Sequence, residues 1–150
     1  MKTQNEILSE TDYEGLANLR YTLRRFMDFS ASAAVAEGLP SQQHQALLVI
    51  KGHAGDGPMT IGTLANRLMI APHSATELVG RLNSSGLVDQ HSDPQDKRRQ
   101  TLTLTEKAER ILLRLSAVHL REIRDLAPEL ITILQRLQET YAHGSAGGED

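Results

Sequence analysis

The first quarter of the chain carries apolar and small residues at alternating spacings of three and four. This pattern predicts a helix from Tyr13 to about Ala36 with one narrow seam, a width that suits packing against another helix. Gly38 and Pro40 are expected to end the helix. The residues of the seam are Leu16, Leu19, Leu23, Phe26, Ser30 and Ala33.

Three shorter helices are predicted next, at Ser41 to about Gly52, Thr60–Leu68 and Pro72–Ser84. The first residue of each suits its position, because serine and threonine are good N-caps and proline lacks an amide hydrogen that the first turn would leave unpaired. A loop at residues 54–58, rich in glycine and proline, separates the first two helices.

The third of these helices has an apolar stripe with the spacing i, i+3, i+4 and i+7. The stripe consists of Ala75, Leu78, Val79 and Leu82. By rotation, the opposite face consists of His73, Thr76, Glu77 and Gly80, flanked by Ser74 and Arg81. Most of this face is short and polar, so we expect it to meet solvent or a partner.

A β-hairpin is predicted after this helix. Its strands are Leu87–His91 and Gln100–Leu104, and the second alternates polar and apolar residues as a half-buried strand does. The Asp93–Pro94 pair and Asp96 supply turn residues at the tip.

The last third of the chain is predicted to be helical. Thr105 is a suitable N-cap for a long helix, which Ala127–Pro128 is expected to break or kink. A final helix would then run to about Tyr141. Residues 144–150 are rich in glycine and acidic residues and are expected to be disordered.

Helix, turn, helix and hairpin together predict a winged helix-turn-helix, so the fold class is mainly α with a small β-hairpin. We expect a single domain over residues 1–150, with a winged core at about 39–104 and flanking helices at about 11–36 and 105–143. The core is too small to cover the apolar seams of both flanking helices. We therefore expect these helices to pack on each other and on a second copy, in a homodimer.

Composition excludes several classes of function. The 150 residues include no cysteine, which removes disulfides, thiolate metal ligands and thiol-based redox sensing. No run approaches the roughly 20 apolar residues of a membrane span, and Met1–Glu10 lacks the features of a signal peptide. We expect a soluble cytoplasmic protein without a cofactor.

The net charge of −3 argues against nucleic acid only if the cations are dispersed. Between Asp89 and Glu106, however, the cations are the three adjacent residues Lys97, Arg98 and Arg99. Positive charge at the tip of a hairpin can follow a phosphate backbone or enter the minor groove. The sequence therefore predicts binding to double-stranded DNA.

In a helix-turn-helix the second helix lies in the major groove, with its N-terminal residues at the base edges. Here those residues are His73, Ser74, Thr76 and Glu77, which carry donors and acceptors for bases or phosphates. A merely solvated helix face is the alternative for each. Arg81 has two predicted roles, a phosphate contact or an ion pair with Asp96 that braces the wing.

The sequence resembles the MarR family of bacterial transcription regulators over about residues 39–126. The most specific sign is the Asp-x-Arg wing at Asp96–Arg98, followed by Leu-Thr at the start of the long helix. Two positions depart from the family pattern, with Gln90 where arginine is common and Gly80 where an acidic residue is common. The matching blocks are IGTLA at 61–65, LVGRL at 78–82 with SGLV at 85–88, and DPQDKR at 93–98 leading to Leu104–Thr105.

The resemblance implies a homodimer joined through its terminal helices that recognises a pseudo-palindromic operator, usually as a repressor. It places DNA contacts at Pro72–Arg81 and Lys97–Arg99. It also implies relief of binding by a small phenolic or aromatic effector, in a pocket between the dimer helices and the winged core. Candidate pocket residues are Arg20, Arg24, Phe26, Met27, His44, Leu48 and His119.

Several alternatives remain open at this point. Arg20 and Arg24, one turn apart, could clamp a carboxylate or simply form surface ion pairs. Some relatives bind zinc through a histidine of the second helix and a pair of histidines on the fifth. Here the residues one turn from His119 are Leu115 and Ile123, so no such pair forms and we expect no metal site.

Two other classes of protein fit the sequence less well than a DNA-binding regulator does. An enzyme is disfavoured because the sequence has no glycine-rich phosphate loop, nucleophile elbow or cluster of carboxylate and histidine. A winged module that contacts only proteins is the other alternative, against which the three cations of Lys97–Arg99 argue.

Overall fold

The computed structural model describes residues 8–55 and 57–145. The chain is mainly helical with one two-stranded antiparallel hairpin, which confirms the predicted fold class. The elements are α1 (Glu10–Ala36), α2 (Ser41–Lys51), α3 (Ile61–Leu68), α4 (Pro72–Ser84), β1 (Val88–Ser92), β2 (Gln100–Leu104) and α5 (Glu106–Ser145).

The described residues form two compact units. The winged-helix unit consists of residues 30–118, and the helical unit consists of residues 8–29 together with 119–145. The long helices α1 and α5 each contribute residues to both units.

The core of the winged-helix unit fixes the rotation of α4. Leu78 and Leu82 are at most 2% exposed, and the other two residues of the predicted stripe are fully buried. Burying one leucine stabilises a fold by roughly 1.5–3 kcal/mol, so the stripe strongly favours this rotation of the helix over any other. Other fully buried side chains of this core are Leu47, Leu64, Leu87, Val88 and Leu115.

The hairpin is bonded to the chain segment that enters α3. In its register Val88 lies opposite Leu104 and Gln90 lies opposite Leu102. The Leu102 side chain is 3% exposed, and its amide donates a hydrogen bond to the Met59 carbonyl at 2.9 Å. The hairpin is therefore held at its base by both core packing and backbone bonding.

The helical unit pairs the beginning of α1 with the end of α5. A Cβ added at Gly15 would lie 2.8 Å from Leu137 Cδ2, so the absence of a side chain lets these two helices approach closely. His119 packs edge-on against Phe26 and Phe29, with ring centroids 6.0 and 5.5 Å away. Ile133, at 8% exposed, is among the buried residues of this unit.

Helix caps follow the predictions at two of three sites. The Thr60 hydroxyl accepts from the Thr63 amide at 3.2 Å, and the Thr105 hydroxyl accepts from the Ala108 amide at 3.2 Å. The prediction for Ser41 was wrong, because Pro40 is the N-cap of α2 and makes no side-chain cap bond. Ser41 is already the first helical residue, and its hydroxyl accepts from the Gln45 side chain at 3.1 Å.

The prediction of a separate last helix after Ala127–Pro128 was also wrong, because α5 is one helix of 40 residues with Pro128 inside it. Proline removes one backbone hydrogen bond, at a cost of about 3 kcal/mol. The buried and half-buried positions continue in one helical phase across it, so packing on a single face opposes the break. These positions are Leu126, Leu130, Ile133 and Leu137.

The end of the chain is described only in part. Helix α5 extends to Ser145, so the predicted disordered segment at 144–150 begins inside the helix, and its residues from 146 onward lie outside the described residues.

Candidate nucleic-acid interface

The helix-turn-helix is closed by a tight turn between α3 and α4. Met69 follows α3 in the left-handed conformation, with φ 57° and ψ 42°, and the Ile70 amide donates to the Ala65 carbonyl at 3.0 Å. Ala71 is extended, and Pro72 then begins α4 as predicted. The turn directs the chain from the end of α3 into the first exposed residues of α4.

The predicted contact residues of α4 lie on its outward face. His73, Thr76, Glu77 and Arg81 are exposed, and Ser74 is half-buried. The Thr76 hydroxyl donates to the Pro72 carbonyl at 3.1 Å, so its hydrogen is engaged within the helix while its oxygen can still accept. The face thus offers short polar groups at helical spacing along one side of α4.

Two aspartates shape the tip of the hairpin. The Asp93 carboxylate, which is 8% exposed, accepts from the Gln95 amide at 2.9 Å. Asp96 accepts from the Arg98 amide at 3.0 Å, and the Arg99 amide donates to the Asp96 carbonyl at 2.9 Å. Asp93 and Asp96 form local turns of the kind their side chains favour, which gives the tip a defined backbone.

The three cations of the tip point into solvent. Lys97, Arg98 and Arg99 are all exposed. In the part of the chain that the structure describes, the recorded ion pairs do not include any of the three. Their charge is therefore available to an external anion.

The structure does not bring Arg81 and Asp96 together as an ion pair among the described residues. The Asp96 carboxylate instead bonds the Arg98 backbone amide, and Arg81 is exposed. The phosphate contact of Arg81 stays a prediction.

Three side-chain bonds that the sequence did not reveal hold the hairpin and α4 in place. The Asn83 side chain donates to the Val88 carbonyl at 3.1 Å. The Thr105 hydroxyl donates to the Gly86 carbonyl at 2.7 Å, and the Lys107 ammonium donates to the Ser85 carbonyl at 2.9 Å. Such bonds join residues up to 22 positions apart, so no local sequence pattern indicates them.

The candidate pocket residues are divided between the two units. In the helical unit, Phe26 contacts His119, while Met27 is 61% exposed and Arg20 and Arg24 are exposed. In the winged-helix unit, His44 is 3% exposed and Leu48 is 50% exposed.

A small cavity of about 70 Å³ in the helical unit is lined by none of these candidate residues; it lies between the start of α1 and the residues around Ile133 and Leu137. No three side chains of His, Asp or Glu among residues 8–55 and 57–145 cluster closely enough to hold a metal ion. No helix in the same ranges combines the length and apolar composition that crossing a membrane requires.

Comparisons with known proteins agree with this geometry. The model of the MarR family matches residues 37–99, which include the helix-turn-helix and the tip of the hairpin. Over 79 residues the chain is 32% identical to the transcriptional activatory protein BadR of Rhodopseudomonas palustris, covering 53% of this chain and 45% of BadR. The chain spans about half the length of the first curated relatives that it matches.

Solved structures share the fold over nearly the whole chain. AbsC, a MarR family transcriptional regulator from Streptomyces coelicolor, superposes with a TM-score of 0.71 at 20% identity, covering 95% of this chain and 99% of AbsC. A mutant of S. aureus MepR bound to an oligodeoxyribonucleotide gives 0.62 at 18% identity, covering 89% and 97%. The MarR family model thus matches the winged helix of this chain, and solved structures of MarR family regulators share its fold.

Proposed function

We propose that the protein binds double-stranded DNA, with α4 in the major groove and the hairpin tip on the phosphate backbone. The observation that carries this proposal is the set of three exposed cations at the hairpin tip, which form no ion pair with another residue in the described ranges. Two aspartate turns define the backbone of this tip. The exposed polar face of α4 belongs to the same compact unit. A basic hairpin tip beside a polar helix face is the arrangement that groove readers use.

The charge of the chain sets how binding responds to salt. With a net charge of −3, the protein has little long-range attraction for DNA, so affinity depends on a few well-placed cations. Each phosphate contact contributes a slope of about −0.9 in a plot of log affinity against log salt concentration. Binding should therefore have a shallow salt dependence to which Lys97, Arg98 and Arg99 contribute a large share.

We also propose that the active form is a homodimer built through the helical unit. Large apolar side chains of this unit are exposed in the single chain, including Tyr13, Leu16, Tyr21, Leu23, Met27 and Leu120. Exposed apolar side chains that are grouped on a surface often mark an interaction site, and a second copy is the partner we propose for them. A symmetric dimer would present two copies of α4 to half-sites about 34 Å apart on a pseudo-palindromic operator.

We also propose that the protein represses transcription and that a small aromatic or phenolic effector relieves this repression. A ligand that favours a spacing of the two α4 helices other than one helical turn of DNA would lower affinity for the operator. The related BadR is named an activatory protein, so a promoter reporter is needed to measure whether transcription falls or rises when this chain binds.

The direct test is a gel shift of DNA from upstream of the protein's own gene, at low salt, with and without aromatic acids. We expect a discrete shifted band that an effector weakens. Absence of a shift at low salt, both with this DNA and with duplexes from a random-sequence pool, contradicts the DNA-binding proposal. If the protein is found in the cytoplasmic fraction of bacterial cells, together with the chromosome, its location would agree with such a role.

Substitution of the wing separates DNA binding from a protein-interaction module. For Arg98→Ala we expect weaker DNA affinity and a salt slope smaller by about 0.9, because one phosphate contact is lost. Arg110→Ala is the matched control, since Arg110 is an exposed arginine whose recorded ion pair is with Glu106 on the same helix. If Arg98→Ala and Arg110→Ala bind DNA alike, the wing does not contact phosphate.

A further inference from the structure

Gly80 lies inside α4, where glycine weakens the fold. Glycine loses more backbone freedom on folding than alanine does and adds no side-chain packing, so it destabilises a helix interior. A glycine in such a position usually has a local reason, either an unusual backbone angle or a neighbour that leaves no room for a side chain.

Neither reason holds for Gly80 within the described residues. A Cβ built at Gly80 would meet no heavy atom within 4 Å, and Gly80 is not among the glycines with positive φ. Gly15 provides the contrast, because a Cβ there would lie 2.8 Å from Leu137 Cδ2. Folding of the single chain therefore explains the glycine at 15 but not the glycine at 80.

Gly80 shares its helix face with the residues proposed to contact DNA. It follows Thr76 by four positions and His73 by seven, so the three lie along one side of α4, opposite the buried stripe. At 1.5 Å per residue, Gly80 is about 10 Å further along the axis than His73. A helix with side chains is about 10–12 Å wide, and the major groove is about 12 Å wide, so the helix nearly fills the groove. A helix that enters the groove at a slant therefore meets a groove wall within about 10 Å of its entry.

We propose that Gly80 is a positioning residue whose missing side chain lets the backbone of α4 approach the wall of the major groove of B-form DNA. This inference rests on the proposed DNA binding and adds how closely the backbone of α4 approaches the groove wall. In the absence of a Cβ, the exposed groups at His73 and Thr76 reach deeper into the groove than they would from a helix held off by a side chain at 80.

One other role for the glycine is tested by the same variants. The Ser84 hydroxyl donates to the Gly80 carbonyl at 2.9 Å, a type of bond that often bends helices, so glycine could instead serve flexibility of α4. If the glycine serves flexibility, alanine and leucine at position 80 should lower DNA affinity equally, because both are good helix formers. A steric requirement would instead be violated more by a larger side chain.

The experiment compares wild type, Gly80→Ala and Gly80→Leu on a duplex that the wild-type protein selects from a random-sequence pool. Both substitutions favour the helix, so we expect each thermal unfolding midpoint to be equal to or higher than that of wild type. DNA affinity should nevertheless fall, by about fivefold for alanine and by about tenfold more for leucine, as expected when added methylenes overpack a close contact. Ser32→Ala is the control, because it favours helix at an exposed position of α1 and should leave affinity unchanged.

The outcomes distinguish this inference from the function on which it rests. If wild type binds no duplex at low salt, both are overturned. If wild type binds and both Gly80 variants bind as tightly as wild type, DNA binding stands and the close approach is overturned. An equal loss for alanine and leucine also overturns the steric account, in favour of flexibility.

Discussion

Met69 combines a strained backbone conformation with a side chain that contributes almost no burial. It is the residue with positive φ among the described residues other than glycine, and its side chain is 91% exposed. The left-handed conformation costs an L-residue roughly 1–2 kcal/mol, because the Cβ crowds the following carbonyl. The turn into α4 imposes this conformation, so the strain follows from the geometry that aims the helix.

At Met69, replacement by glycine should stabilise the protein by about 0.5–1 kcal/mol, the relieved strain less the larger backbone entropy of glycine in the unfolded chain. Urea denaturation measures the change. Met69→Ala is the matched control, because it removes the same exposed side chain but keeps the Cβ and its strain. Equal stability of the glycine and alanine variants would show that the strain at 69 is no larger than the entropy cost of glycine, and would contradict the expected gain.

At the scale of elements, an ion pair between Arg114 and Glu37 links α5 to the end of α1 within the winged-helix unit. Arg114 in α5 donates from Nε to both Glu37 oxygens at 3.1 Å and from Nη2 to Oε2 at 2.9 Å. Glu37 directly follows α1. These hydrogen bonds hold the pKa of Glu37 below its ordinary value of 4.5 and raise that of Arg114. Because solvent screens such pairs, the contribution to stability is small.

The lowered pKa of Glu37 gives this pair a definite pH dependence. Its stabilisation is fully present above the ordinary carboxyl pKa of 4.5 and is lost as the pH falls through the lower folded-state value. Glu37→Gln should therefore have a slightly lower unfolding midpoint than wild type at pH 7, and the two should converge at acidic pH. Asp28→Asn, which removes an exposed carboxylate from α1, is the control and should have the same unfolding midpoint as wild type at pH 7. A gap between wild type and Glu37→Gln that does not narrow as the pH falls below 4.5 would contradict the assignment.

At the scale of the whole molecule, stability and DNA recognition are both expected to depend on a second copy. Leu16 and Leu23, which the heptad pattern places on a helix-packing seam, are 48% and 47% exposed in the single chain. Each side chain buried in a symmetric dimer contributes twice, once from each protomer. The exposed seam is therefore the feature of the single chain that a dimer would change most.

In analytical ultracentrifugation we expect wild type to sediment with twice the mass of one chain. Leu23→Gln should weaken association by about tenfold or more, because burying part of a leucine stabilises by about 1 kcal/mol at each of two copies. Met69→Gln provides the control, since it removes a more exposed apolar side chain from the winged-helix unit and should leave the dimer intact. A wild-type monomer at concentrations that bind operator DNA would exclude the proposed assembly.

The sequence by itself determined the features that depend on near neighbours. Helix periodicity, the caps at Thr60 and Thr105, the proline that begins α4 and the turn aspartates act within a few residues, so α4 and β2 were predicted with their observed bounds. The three adjacent cations of the wing are likewise a property of the sequence alone.

Only the tertiary structure decided the features that depend on distant packing. Helix α5 continues through Pro128 because its buried face keeps one phase on both sides, whereas a local rule predicts a break. The contact of Phe29 with His119 joins positions far apart in the chain. The open space at Gly80 also became visible only once the neighbours of α4 were in place, since a sequence does not show which glycine has no neighbour.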